Sequence, residues 1–203
     1  MLWLGFTVSK YPEPHPEPPD NFHLISLPVS RIERAAFRLN KAHHDSAIYF
    51  DRSGIGRFDT ENLGILYLAE TLAGVFIETY GRQLGINYVS REFIRTRNLF
   101  AIESDRPLQL VDLCGSGLAK IGADSELSSG RNYRISRSWS QAIFNHPQKV
   151  DGIRFFSRHD NTQLCWGLFE RDYQLSEQNL SNLIDYDEQQ LLSVLERYEF
   201  GSD

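Results

Sequence analysis

The sequence predicts one α+β domain: a single compact body with a mixed central β-sheet and flanking helices. Three observations carry this. The chain has 203 residues, enough for one domain that buries about two-thirds of its unfolded surface. Hydrophobic residues make up 41% and charged residues 24%, near globular averages, so disorder is not the default. Short apolar runs are neither regularly alternated with helical segments nor gathered into a meander, which argues against a doubly wound sheet.

Along the chain, residues 1–28 form a proline-rich N-terminal arm. Pro12, Pro14, Pro16, Pro18 and Pro19 are five of the eight prolines. Each fixes φ and lacks an amide donor, so the stretch is expected to be extended. The apolar start, Leu2, Trp3, Leu4 and Phe6, is expected to dock on the chain's own domain, with a partner as the alternative. The domain itself spans 29–203. Aromatic-rich apolar runs at 36–39, 47–50, 65–68, 99–102, 108–112, 153–156 and 164–169 read as strands. Over 71–84 the spacing of Leu72, Val75, Phe76, Tyr80 and Leu84 is helical. Further helices are expected at 117–122, 136–144 and 187–198, the last with Asp187 as N-cap.

Glu78 stands out on the first helix. Projected at about 100° per residue, Leu72, Phe76 and Tyr80 share one side and Glu78 the other. Its angular neighbours are Gly74, Gly81 and Gly85. Glycine costs about 1 kcal/mol in a helix relative to alanine, so its presence suggests close approach of a strand or a ligand. Gly81 and Gly85 can equally end the helix. Arg57, in Gly56-Arg57-Phe58, has a fork of donors suited to a phosphate, or it pairs with Asp59 or Glu61. Tyr67 lies in an apolar run where core burial is the ordinary role, and Ser157 ends a strand-like run as a capping residue would. Taken singly, each has a structural reading.

Taken in order, they resemble a known family. Phe37-Arg38-Leu39, Gly56-Arg57-Phe58, Leu66-Tyr67-Leu68-Ala69, Phe76-Ile77-Glu78-Thr79, and Asp151-Gly152-Ile153 leading into Ser157-Arg158 are similar to the RES domain. The resemblance spans about residues 35–170 and includes the closing run Gln163-Leu164-Cys165-Trp166-Gly167-Leu168-Phe169. The family's arginine, glutamate and serine map to Arg57, Glu78 and Ser157. The chain departs from the pattern in its N-terminal arm and in Ile-Gly-Arg-Phe, where the family often shows paired glycines and a tryptophan.

The resemblance implies a fold like that of diphtheria-toxin-like ADP-ribosyltransferases, and a bacterial toxin that degrades NAD by hydrolysis or phosphorolysis. It implies an Xre-type antitoxin as partner and pairing into a homodimer. NAD is then a substrate rather than a cofactor, with inorganic phosphate as co-substrate in the phosphorolytic case. Cleavage of the nicotinamide–ribose bond passes through an oxocarbenium-like state. Glu78 would stabilise that charge and hold the ribose 2-hydroxyl. Tyr67 would stack on nicotinamide, Arg57 and Arg38 would hold phosphate oxygens, and Ser157 would hydrogen-bond Glu78 or the nucleotide. Arg158 and His159 would complete the substrate-binding rim. No metal is required, because nicotinamide is a good leaving group. Two other readings stay open on the same residues: a protein ADP-ribosyltransferase, and a non-catalytic interaction module using the arm and the acidic surface.

The remaining signals are exclusions. A formal charge of −6 argues against a direct nucleic-acid footprint. Cys114 and Cys165 form no metal or disulfide pattern, which fits a reduced, cytoplasmic protein. No run approaches the roughly 20 apolar residues of a membrane helix. His43-His44 lacks a third ligand, adjacent residues on a strand would point apart, and the pair is expected to be surface or loop histidines. Cys114-Gly115-Ser116-Gly117 lacks a P-loop ending. Arg91, Arg95 and Arg97 read as a solvated patch. Ser157, His159 and Asp160 lie too close in sequence for a hydrolase triad.

Overall fold

The computed structural model describes residues 15–83 and 85–203. The apolar start of the arm, Pro12, Pro14 and Leu84 lie outside the described residues. Eight strands, β1 (Val29–Ile32), β2 (Ala36–Lys41), β3 (Ile65–Ala69), β4 (Arg97–Ser104), β5 (Leu108–Asp112), β6 (Gly152–Phe156), β7 (Leu164–Phe169) and β8 (Leu175–Asn179), form one sheet. Its order is β1-β5-β6-β7-β3-β2-β4-β8. Only β5 and β6 run parallel; every other pair is antiparallel. The mixed α+β architecture predicted from sequence is therefore the observed one.

The helices are α1 (Leu72–Tyr80), α2 (Arg91–Arg95), α3 (Ser116–Lys120), α4 (Glu126–Ser129), α5 (Tyr133–Asn145) and α6 (Leu183–Arg197). Strand alternation sorts the core into two layers. Leu39, Ile65, Ala69, Phe155, Cys165 and Phe169 face Phe76 of α1 and Trp139 of α5. Leu66, Leu68, Phe100, Trp166 and Leu168 pack on the other face with Ala36 and Ala47. Trp139 and Trp166 are each 1% exposed, one in each layer.

Two sequence expectations are corrected. Residues 47–50 are not a strand: the N–H groups of Ala47 and Ile48 both donate to Glu177 Oε2, at 2.7 and 3.1 Å. A carboxylate thus takes the bonds a ladder would use, and pairing resumes only at the Asp51–Ile65 bridge. The last helix begins earlier, at Leu183, with Asn182 Oδ1 capping the N–H groups of Ile184 and Asp185. Asp187 still caps, because φ −160° breaks the helix there and its Oδ1 accepts the N–H of Gln190 at 2.8 Å. His43 and His44 are exposed in the segment just after β2, as the surface or loop reading expected, with ring centroids 4.5 Å apart.

The described end of the arm packs on the domain. His15 is 5% exposed and Phe22 4%. His15 Nδ1 donates to Pro16 O (2.9 Å), leaving Nε2 to accept the N–H of Asp124 (3.2 Å). Trp139 Nε1 of α5 donates to Pro16 O at 2.9 Å, and the Phe22 ring meets Trp139 edge-on. Among the described residues, no helix is long and apolar enough to cross a membrane.

Candidate active site

The chain turns directly from β3 into α1, and this junction places Glu78. Thr71 caps the helix, its Oγ1 accepting the N–H of Gly74. Two turns on, the half-buried Glu78 reaches the end of β6, where Ser157 is 3% exposed. Ser157 Oγ donates to Glu78 Oε1 at 2.5 Å. The same oxygen accepts the N–H groups of His159 (3.1 Å) and Asp160 (3.3 Å), so one hydroxyl joins the carboxylate to the turn after β6.

The glycines beside Glu78 do not serve a ligand. A Cβ on Gly74 would meet Ala69 and Thr71 at 3.2 Å, Gly81 caps the helix, and Gly85 has φ +81°. They fit the chain to itself. The glycine that matters at the cleft is Gly56, where a Cβ would lie 1.8 Å from Asp59 Oδ1 and 2.8 Å from the Tyr67 hydroxyl.

Tyr67 gathers the turn around that glycine. Its hydroxyl donates to Asp59 Oδ1 (2.8 Å) and accepts the N–H groups of Phe58 (2.8 Å) and Asp59 (3.2 Å). Burial, then the neighbouring Asp59 charge, push the phenol far above its ordinary range, so it stays protonated. Asp59 is fully buried and serves Tyr67 rather than Arg57. That leaves the Tyr67 ring as its contribution to the cleft.

Arg57 is 8% exposed. Its Nη1 donates to Gly130 O at 2.7 Å, and its guanidinium lies 4.6 Å over the Tyr133 ring. Burial lowers its pKa; Tyr133 and Glu78 oppose this, while Arg158 adds to it. Arg137, one helical turn beyond Tyr133, donates twice to Gly56 O at 2.9 and 3.1 Å. Sequence reading missed Tyr133 and Arg137. The available signal was Asn132, whose side chain caps the N–H of Arg134. A helix started there puts both residues on one face at i and i+4.

Glu78, Arg57, Tyr67, Arg158 and His159 line one cleft of about 490 Å³. Arg82, also not anticipated, lines it too and donates from Nε to Glu78 O at 2.8 Å. His159 is held neutral first by burial; Glu78 pulls its pKa up, and Arg158, Arg82 and Arg57 push it down. Arg38 belongs to a different corner. It touches the cleft where β2 and β3 diverge after their single pairing at Phe37–Ala69. Its Nη1 donates to Tyr49 O at 3.1 Å, and the charges it feels are Asp51 and Glu177, not Glu78.

Neither cysteine is activated as a thiolate. Burial raises the Cys165 thiol well above its ordinary value and, with Asp112, takes Cys114 to about 12. Among the described residues, no three His, Cys, Asp or Glu side chains form a metal-binding group. Asp160 does not orient His159; its carboxylate accepts from Tyr198, Arg197 and Thr162.

Fold and cleft together define an α+β domain with a pocket lined by four arginines, Glu78 and Asp51. The chain belongs to the RES domain family, whose model matches residues 28–187. It is similar to "Probable toxin y4kH" of Sinorhizobium fredii (strain NBRC 101917 / NGR234), with 30% identity over 71 residues. That alignment takes in 35% of this chain and 55% of the relative, so the chain spans about half the length of the curated relative it matches. A solved structure, the MbcT–MbcA toxin–antitoxin complex of M. tuberculosis, superposes with a TM-score of 0.61 at 15% identity. The superposition covers 80% of this chain and 92% of the other. At that identity the likeness concerns the fold.

Proposed function

We propose that this protein is a toxin that consumes NAD by cleaving the nicotinamide–ribose bond, with residues 29–203 as the catalytic body. The observation that carries the reading is the Ser157–Glu78 hydrogen bond in a cleft shared with Arg57, Arg158 and Tyr67. These residues come from four separate segments, as an assembled site requires.

In this mechanism Arg57 and Arg158 hold the diphosphate, and the Tyr67 ring lies against nicotinamide. As the C1′–N bond breaks, its electron pair leaves with neutral nicotinamide and positive charge develops on the ribose. The Glu78 carboxylate, oriented by Ser157, stabilises that charge. Water or inorganic phosphate then bonds to C1′ and gives up a proton to solvent or to neutral His159. No metal or redox step enters. The reading carries over an antitoxin as partner, supported by the complex to which the fold is similar, and a cytoplasmic site of action, where NAD is found.

Purified protein incubated with NAD is expected to release nicotinamide. Glu78→Gln is expected to lower turnover by about a hundredfold or more, and Ser157→Ala by less, since it misorients the carboxylate without removing it. Omitting phosphate separates hydrolysis from phosphorolysis. Unchanged turnover in Glu78→Gln would remove Glu78 from the mechanism, and wild-type protein that leaves NAD intact would refute the activity.

A further inference from the structure

Four arginines line the cleft, Arg38, Arg57, Arg82 and Arg158, and among the described residues none forms a carboxylate salt bridge; two of them, Arg57 and Arg158, converge on one side chain. Arg57 spends one nitrogen on Gly130 O, and Arg158 spends one on the Tyr133 hydroxyl at 3.2 Å. Among the described residues, neither forms an ion pair, although arginines elsewhere on the surface do. The Arg158 charge is among the causes that lower the Arg57 pKa, after burial. Like charges held together cost free energy that an anion bound between them offsets.

One side chain holds both. Tyr133 opens α5 and lines the cleft. The Arg57 guanidinium lies 4.6 Å over its ring, and its hydroxyl receives Arg158. The Arg137 guanidinium is 5.8 Å from the same ring while its donors grip Gly56 O, so the turn carrying Arg57 is tied to the helix carrying Tyr133. A guanidinium on an aromatic face keeps its edge donors free for oxygen ligands. Arg57 and Arg158 are thereby presented together to the open cleft.

We infer that Tyr133 is the positioning residue of a two-arginine clamp, formed by Arg57 and Arg158, that receives the diphosphate of the substrate. The inference rests on the proposed NAD reading for its substrate, but the clamp itself is a statement about diphosphate. Tyr133 acts through the arginines, so it sets affinity for the anionic part of the ligand. The bond-breaking step belongs to Glu78 and is little affected.

The test uses the full chain, with direct titration of inorganic pyrophosphate and, separately, of nicotinamide, alongside NAD turnover. Tyr133→Phe keeps the ring beneath Arg57 and frees Arg158; pyrophosphate binding is expected to weaken about threefold. Tyr133→Leu removes both supports and is expected to weaken it about tenfold or more. Nicotinamide binding should hold constant in both variants. The KM for NAD should rise in step with the pyrophosphate dissociation constant while kcat stays within about twofold. Unaltered pyrophosphate binding in Tyr133→Leu overturns the inference, as does equal weakening of pyrophosphate and nicotinamide, which marks a general distortion. If the leucine variant fails to fold, the phenylalanine variant decides by the same two titrations. A wild-type protein inert toward NAD removes the proposed activity and leaves the pyrophosphate arm to judge the clamp.

Discussion

A Cβ on Gly56 would lie 1.8 Å from Asp59 Oδ1, a carboxylate oxygen that is fully buried and bonded to Tyr67. Asp59 has no room to retreat, because its own N–H and that of Phe58 are held by the Tyr67 hydroxyl. Gly56→Ala is therefore expected to force the turn open, destabilising the fold by about 1–3 kcal/mol, and to move Arg57, the next residue, out of the cleft. Denaturant unfolding and NAD turnover measure the two effects; wild-type values for both would contradict this account. Residues of this kind explain what was legible. Glu78 and Ser157 could be chosen from order and resemblance, since their chemistry is in the side chain itself. Yet the glycine argument that first favoured Glu78 turned out to concern helix fitting. The support of Arg57 by Gly130 and Tyr133 is invisible in sequence, being a contact between segments 73 residues apart.

At the scale of elements, the turn after β6 is fastened from outside by the last helix. Asp160 Oδ2 accepts the Tyr198 hydroxyl (2.8 Å) and Arg197 Nη2 (3.2 Å), and Asp160 Oδ1 accepts both donors of Thr162. Burial alone would raise the Asp160 pKa, but hydrogen bonds from Thr162 and Tyr198 and the Arg197 charge bring it to about 2. A folded pKa below the ordinary 3.8 means that this carboxylate stabilises the fold above about pH 4. The contribution is lost as pH falls through about 2. Asp160→Asn is expected to cost about 1 kcal/mol at pH 7 after solvent screening, with the difference from wild type narrowing as pH falls from 4 toward 2. A pH-independent difference would contradict the linkage. Turnover should fall as well, since Arg158, His159 and Ser157 share that turn. α1 was legible because its apolar residues recur at helical spacing, and β7 because a strand buried on both faces is a continuous apolar run. Residues 47–50 were misread because an apolar run looks the same whether its N–H groups meet a neighbouring strand or the Glu177 carboxylate. The start of α6 was missed because a kink at Asp187 hides a first turn that Asn182 caps.

Across the whole molecule, buried contacts run past residue 28, where composition changes and the family match begins. Phe22 packs edge-on against Trp139 at 5.2 Å and His146 at 5.5 Å, both burying one side of α5. The N-terminal end of the same helix supplies Tyr133 to the cleft and Arg137 to Gly56 O. The segment before β1 is thus part of what holds α5 in place, and through α5 it bears on the position of Arg57. Phe22→Ala removes a side chain only 4% exposed and is expected to cost about 3–5 kcal/mol. Urea unfolding followed by tryptophan fluorescence measures it, since Trp139 is the ring left without its neighbour. If α5 transmits the loss, the KM for NAD also rises, while nicotinamide binding, which depends on the β3–α1 side, stays constant. A loss below about 1 kcal/mol would mean that α5 is held by the sheet alone. The Trp139–Pro16 hydrogen bond and the His15–Asp124 contact argue for the larger value, because they fix the chain on both sides of the missing ring and prevent it from collapsing into the cavity.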